Sequence, residues 1–138
     1  MEPTSFVPVL SISSGVKDID FYEKALGAVE QWRINNPDGS VHVAAFSIGG
    51  LMFRLHEEGK NHLSAQKIAG TTVQIAMTVD DVHAAFEQAV AAGAMVIAPV
   101  TDYDYGYRQG EIKDPFGHYW VIEKLLNKEA LDSFLKSL

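Results

Sequence analysis

Near the end of the chain the stretch DPFGHYW, Asp114 to Trp120, runs directly into Val-Ile-Glu. His118 and Glu123 are residue types that hold divalent metals, and they flank a tight turn. The same stretch reads equally well as a purely structural hairpin, in which proline presets the backbone, Asp114 bonds back to the chain and Gly117 accepts a positive φ. Just upstream, TDYDYGYRQG (Thr101 to Gly110) carries three tyrosines, two aspartates and Arg108. Aromatic faces with a few polar groups are what small-ligand cavities place at their mouths, which makes Tyr105 and Arg108 candidate ligand-binding residues. Tyrosines packed over a dimer seam account for the stretch equally well, and Trp32 suits either purpose. No serine or threonine stands in a G-x-S-x-G setting, and no glycine-rich phosphate loop occurs.

Composition narrows the classes of function. Lys plus Arg number 11 against 18 Asp plus Glu, a net charge of −7, which disfavours nucleic acid as a partner. The acidic balance suits a cationic ligand, and it equally serves solubility. Absence of cysteine removes disulfides, thiolate nucleophiles and cysteine-held metals. At 138 residues the chain has the length of one domain, and its 47% hydrophobic content supports a folded core. The start, MEPTSFVPVLSISSG, has Glu2 and no basic residue before its apolar run, unlike a secretory leader, and no apolar run is long enough to span a bilayer. A cytoplasmic protein without membrane partners is expected.

The residues that could do chemistry must be positioned by regular elements, and the pattern supplies the same set twice. FVPVLSI (Phe6 to Ile12) reads as a strand. Ser13 or Ser14 can cap a helix carrying Val16, Ile19, Tyr22 and Leu26, closed by Gly27. EQWRINN, VHVAAFSI and LMFRLH follow as strands, with NPDG and Gly49-Gly50 as turns. A polar connector, residues 57–71, shows no periodicity. The pattern then restarts with TVQIAMTV, a helix capped by Asp80 or Asp81 and closed by Gly93, and the strands MVIAPV, RQGEIKD and HYWVIEK. The expected fold is α+β: two βαβββ modules, about 5–56 and 72–124, forming cupped mixed sheets around a cavity with helices outside. Asn127 caps an amphipathic C-terminal helix, about 127–138, expected to cover core or a subunit contact.

DIDFYEKALGA, DGSVHVAAFSIGG, VDDVHAAFEQAVAAGA and YGYRQGEIKDPFGHYW together resemble the glyoxalase / bleomycin-resistance / extradiol-dioxygenase (vicinal oxygen chelate) superfamily, and most of all its PhnB-like branch. The resemblance implies paired βαβββ modules, a homodimer and a cavity in each cupped sheet. Its enzymes hold a divalent metal such as zinc, nickel, manganese or iron with one side chain from each of four strands. Those positions fall here at Val7, Arg54, Gln74 and Val121, of which only Gln74 offers a donor, since a guanidinium cannot ligate a metal.

Strand alternation then extends the list. If Val121 faces the cavity, so do Tyr119 and Glu123, while His118, Trp120 and Ile122 face the helices. Arg54, His56, Gln74, Tyr119 and Glu123 become the expected polar lining of one cavity. Arg54 would clamp a carboxylate or phosphonate, or else pair with Glu123. His42, His62 and His83 fall in strand-edge, connector and helix-surface contexts with no chemistry expected. The reading is a homodimeric binder of a small organic ligand, without a metal cofactor and with a degenerate metal site. One alternative is a lyase, isomerase or dioxygenase with a divalent metal displaced to His56, Gln74 and Glu123, where Glu123 would be the catalytic candidate. A second is a non-catalytic interaction module.

Overall fold

The computed structural model describes all 138 residues. Its first half contains β1 (Val9–Ile12), α1 (Phe21–Leu26), β2 (Val29–Asn35), β3 (Val41–Ile48) and β4 (Leu51–Glu57). After α2 (Ala65–Ile68) come β5 (Gln74–Thr78), α3 (Val82–Ala91), β6 (Met95–Asp102), β7 (Tyr107–Lys113), β8 (Tyr119–Leu125) and α4 (Lys128–Lys136). The strands form two four-stranded mixed sheets, ordered β1-β4-β3-β2 and β5-β8-β7-β6. In each, the first strand runs parallel to the last while the remaining pairs are antiparallel. This is the duplicated βαβββ pattern expected from the sequence.

Alternation along the strands decides which residues each sheet gives to the core. Phe53 and Leu55 of β4, Phe46 of β3, Trp120 and Ile122 of β8 and Ile112 of β7 are buried in a single cluster with α1 residues Phe21, Tyr22 and Leu26. Both sheets therefore turn their helix-covered faces to a common core: the Phe53 and Trp120 rings meet at 5.4 Å, and Tyr22 touches Phe46 and Phe53 on one side and Phe116 and Trp120 on the other. The opposite, cupped faces open away from that core. No helix is long and apolar enough to cross a membrane.

Several local expectations change. Neither Ser13 nor Ser14 caps α1, which begins only at Phe21; Gly15 turns the chain at φ 86°, and the Val16 carbonyl accepts the amide of Val41. Chain before the helix is thus spent tying it to β3. The connector holds α2, capped where the Ser64 hydroxyl accepts the amide of Lys67, although it is too short for a hydrophobic period to show. Most of TDYDYGYRQG is strand, with only Tyr103 to Gly106 left as the hairpin tip. Asn127 caps α4 as expected, accepting from Ala130, yet no residue of α4 is buried.

Candidate functional site

Asp114 answers the question raised by DPFGHYW. Its carboxylate is buried and accepts four hydrogen bonds: from the Tyr22 hydroxyl at 2.5 Å, Trp120 Nε1 at 3.0 Å, and the amides of Phe116 at 2.9 Å and His118 at 3.0 Å. His118 lies on the packed side, its Nε2 2.8 Å from the Ser11 carbonyl oxygen of β1. Burial first, then the Asp114 charge and hydrogen bond, push the Tyr22 hydroxyl well above the ordinary tyrosine range. This motif joins the halves.

The cup of the first sheet is different. On β4 the side chains of Met52, Arg54 and His56 alternate with buried Phe53 and Leu55 and so face the cup. Arg54 lies between Val9 and Ala45, and Ala45 in turn pairs with Trp32. Ala45 is fully buried, yet it stands outside the main core cluster, so it forms the cup's floor. Arg54 Nε is itself buried and has no hydrogen-bond partner. The expected pairing of Arg54 with Glu123 is absent, because Glu123 instead accepts from Gln109 Nε2 at 2.7 Å.

At the end of the same sheet stands a group that periodicity did not reveal. Between Ile34 and Asn35 the β2–β3 register slips by one residue, leaving His42 as a bulge on β3. A bulge re-aims its side chain, and the ring centroids of His42 and His56 stand 4.9 Å apart. His42 Nδ1 lies 2.7 Å from Glu57 Oε1, while Asn36 Nδ2 donates to Glu57 Oε2 at 3.0 Å. The His42 hydrogen bond foremost, helped by Asn36, holds the Glu57 carboxyl below the usual carboxylate range. His56 Nδ1 sits 2.7 Å from the Glu57 carbonyl oxygen. Facing oxygens, both Nδ1 atoms act as donors. No chemistry was expected of His42, because an unpaired residue inside VHVAAFSI leaves no trace in alternation.

The second cup is acidic. Gln74 Nε2 donates to Glu111 Oε1 at 2.5 Å, and Tyr105 donates through its hydroxyl to Gln109, which passes the chain on to Glu123. Burial chiefly, then Tyr103 and Glu123, raises the Tyr105 hydroxyl above the ordinary range. A pocket of about 170 Å³ here is lined by Gln74, Glu111, Gln109 and Tyr103. Tyr119 adjoins Gln74 in the ladder and also lines a separate groove of about 400 Å³ beside α2. Arg108 is not in the cup. It shares the helix-side alternation of Gly110 and Ile112 and binds Asp102 through Nε at 2.7 Å and Nη2 at 3.0 Å.

The expected single lining is thus divided between the two sheets, with Arg54 and His56 on one and Gln74, Tyr119 and Glu123 on the other. The displaced metal set fares no better. Gln74 pairs with Tyr119 and Thr78 with Glu123, so Gln74 and Glu123 stand four strand positions apart, about 13 Å at ~3.3 Å per residue, beyond a shared coordination sphere. No three His, Cys, Asp or Glu side chains gather as a metal site. At the positions where the resemblance places ligands, a guanidinium at Arg54 and aliphatic groups at Val7 and Val121 do not fit a divalent cation.

A profile of the glyoxalase/bleomycin resistance protein/dioxygenase superfamily matches residues 13–122. An uncharacterised protein of Mycobacterium bovis is 36% identical over 130 residues, covering 91% of this chain and 86% of that one. Among solved structures, a gene product of Arabidopsis thaliana superposes with a TM-score of 0.71 at 25% identity, covering 89% of this chain and all (100%) of that one. The fosfomycin resistance protein FosX of Listeria monocytogenes, crystallised with Mn(II) and sulfate, gives 0.68 at 19% identity over 97% of this chain and 99% of its own, a likeness of fold.

Proposed function

Because this chain belongs to the glyoxalase/bleomycin resistance/dioxygenase superfamily, we propose that it is a cytoplasmic homodimer of the PhnB-like branch that binds a small organic anion in its first cup. The superfamily's metal site is degenerate in this reading. The observation that carries it is Arg54, a guanidinium on a cup wall with its Nε buried and unpartnered. A buried donor left unsatisfied costs about 1–3 kcal/mol, a cost that a ligand oxygen removes. Guanidinium geometry suits a carboxylate, so local charge outweighs the chain's overall acidity in choosing the ligand.

Two features support the dimer. The chain exposes 8537 Å², against about 7,100 Å² for a compact monomer of its 15.1 kDa. The excess is more than the roughly 800 Å² that each partner gives up in a standard interface. Apolar Leu135 and Leu138, exposed on or just beyond α4, suit a subunit contact.

The test is thermal stabilisation and calorimetric titration against a panel of small carboxylates, amines and neutral analogues, after chelation. Carboxylates should raise the melting point by mass action. Arg54→Leu should weaken binding about tenfold or more, matching the loss of one or two charge-assisted hydrogen bonds. A panel in which only amines bind would overturn the reading.

A further inference from the structure

The groove of about 400 Å³ beside α2 stands apart from the residues discussed so far as a ligand site. It shares no residue with the pocket over Glu111, and none of Val7, Arg54, Gln74 or Val121 lines it. Strand register builds its floor. Met95 pairs with Lys113 and Lys113 with Tyr119, so three strands set these side chains in one row at the end of the second sheet. Residues paired across strands share a face and lie within contact of one another. The facing wall is α2, whose Gln66 donates through Nε2 to the Pro115 carbonyl oxygen at 2.9 Å and accepts from the Ser13 hydroxyl at 2.7 Å. A Cβ on Gly117 would stand 3.1 Å from Ala65, so helix and turn meet closely and the wall is fixed before any ligand arrives.

Charge in this groove is one-sided. Lys113 is half-buried, takes part in none of the ion pairs, and holds its Nζ 6.0 Å from the Tyr119 ring centroid. The one carboxylate in the lining, Asp114, is engaged by four donors in the core. Beside the pair Met95 stays 57% exposed. On the α2 wall Ala69 turns the chain at φ 57°, the one residue other than glycine with a positive φ. An alanine adopts that backbone at a cost, and such strain collects where a ligand is gripped.

We infer that the groove is a second ligand site, which takes a flat aromatic carboxylate: its carboxyl oxygens meet the Lys113 ammonium, and its ring packs on the apolar members of the row, Tyr119 and Met95. The site is distinct from the anion site proposed at Arg54, which lies on the other sheet. An ammonium is a point charge with three donors, so it selects an anion without imposing the planar fit of a guanidinium. Its place over the Tyr119 ring keeps it beside an aromatic face. Selection for a ring comes from that face and from the thioether, both of which favour π systems. The groove's volume falls within the roughly 300–1,000 Å³ of small-molecule sites and admits a two-ring acid.

Titration of the parent protein with 2-naphthoate, followed by amide proton–nitrogen NMR, tests this. The amides of Gly70, Gly93 and Lys113 report on the groove, while those of Ala45 and Arg54 report on the first cup. Saturable shifts at the groove amides are expected, about tenfold weaker or more both with uncharged 2-naphthamide and in Lys113→Met. Cyclohexanecarboxylate should bind the groove less tightly than naphthoate, and Tyr119→Leu should erase that preference. The naphthamide comparison needs no variant, so it decides even where a variant fails to fold. Silent groove amides, naphthamide binding there as tightly as the acid, or Lys113→Met binding like the parent would overturn the inference. Shifts confined to Ala45 and Arg54 would overturn it while leaving the Arg54 site standing, and shifts confined to the groove would do the reverse.

Discussion

The Asp114 junction and the Arg54 cup are built from the same kinds of residue, and they differ in what is left over. At the junction a carboxylate, a phenol, an indole and two amides close on one another, with nothing unspent and almost nothing exposed. In the cup a guanidinium nitrogen is buried without a partner and two imidazoles keep a free nitrogen each. Buried polar groups that are fully satisfied specify a fold, whereas those left open at a concave surface specify a ligand. DPFGHYW drew attention because it looks like chemistry. It is architecture, and the proposed binding site lies in strands that look ordinary.

The largest effect should come from Asp114→Ala. Four donors would lose their acceptor in the core, a cost of about 3–5 kcal/mol that is a large share of the stability of a domain this size. Urea denaturation should show the midpoint collapse, and a loss below about 1 kcal/mol would refute the junction's role. Tyr22→Phe is milder, about 1–2 kcal/mol, since it removes one of the four bonds. It also carries a pH signature. The folded Tyr22 hydroxyl is raised above its ordinary value of 10.0, so its contribution is whole below that pH. Above it the unfolded chain ionises first, and stability falls as pH climbs toward the folded value. The alkaline limb of a stability–pH curve should therefore flatten in Tyr22→Phe.

The same division explains what the sequence made legible. Strand and helix periods, Gly27 and Gly93 at the helix ends and the Gly49-Gly50 hairpin announce two βαβββ units, because burial on one face imposes alternation that can be read directly. That Arg54 shares a face of β4 with Met52 and His56 was legible for the same reason. His42 was not. Its position depends on a one-residue slip against β2, and a slip is a property of two strands together, absent from either alone. The division of Arg54 from Gln74 and Glu123 was hidden likewise, since alternation says which face a residue takes and not where that face points. Arg108 sits on the helix side because β7 begins at Tyr107 instead of after a loop, and that boundary was set by the hairpin tip at Gly106.

Arg54→Leu sharpens the contrast from the other side. It removes the unpartnered Nε and leaves no acceptor orphaned, so unfolding free energy should stay within about 0.5 kcal/mol of the parent, or rise. Carboxylate binding should weaken about tenfold or more in the same protein. A destabilisation approaching that of Asp114→Ala would mean the guanidinium holds the fold, and the two regions would no longer differ in kind.

The smallest effect separates orientation from stability within the cup. Glu57 has its carboxyl held below the ordinary value of 4.5, chiefly by His42. A depressed carboxylate contributes stability above its unfolded value, and that contribution is lost as pH falls through the folded one. Because His42 is 43% exposed, solvent screens the pair and the contribution is roughly a few tenths of a kcal/mol. Asp38, Glu58 and Asp102 are lowered as well, so the acid limb of the parent is shared among several carboxylates. Only the difference between the parent and Glu57→Gln isolates this one. Melting temperatures of the two should nearly coincide at pH 7 and converge fully near pH 3. If Glu57→Gln instead cost as much as Tyr22→Phe, the dyad would belong with the junction as a structural clasp, and a carboxylate that merely points an imidazole would be the wrong description of Glu57.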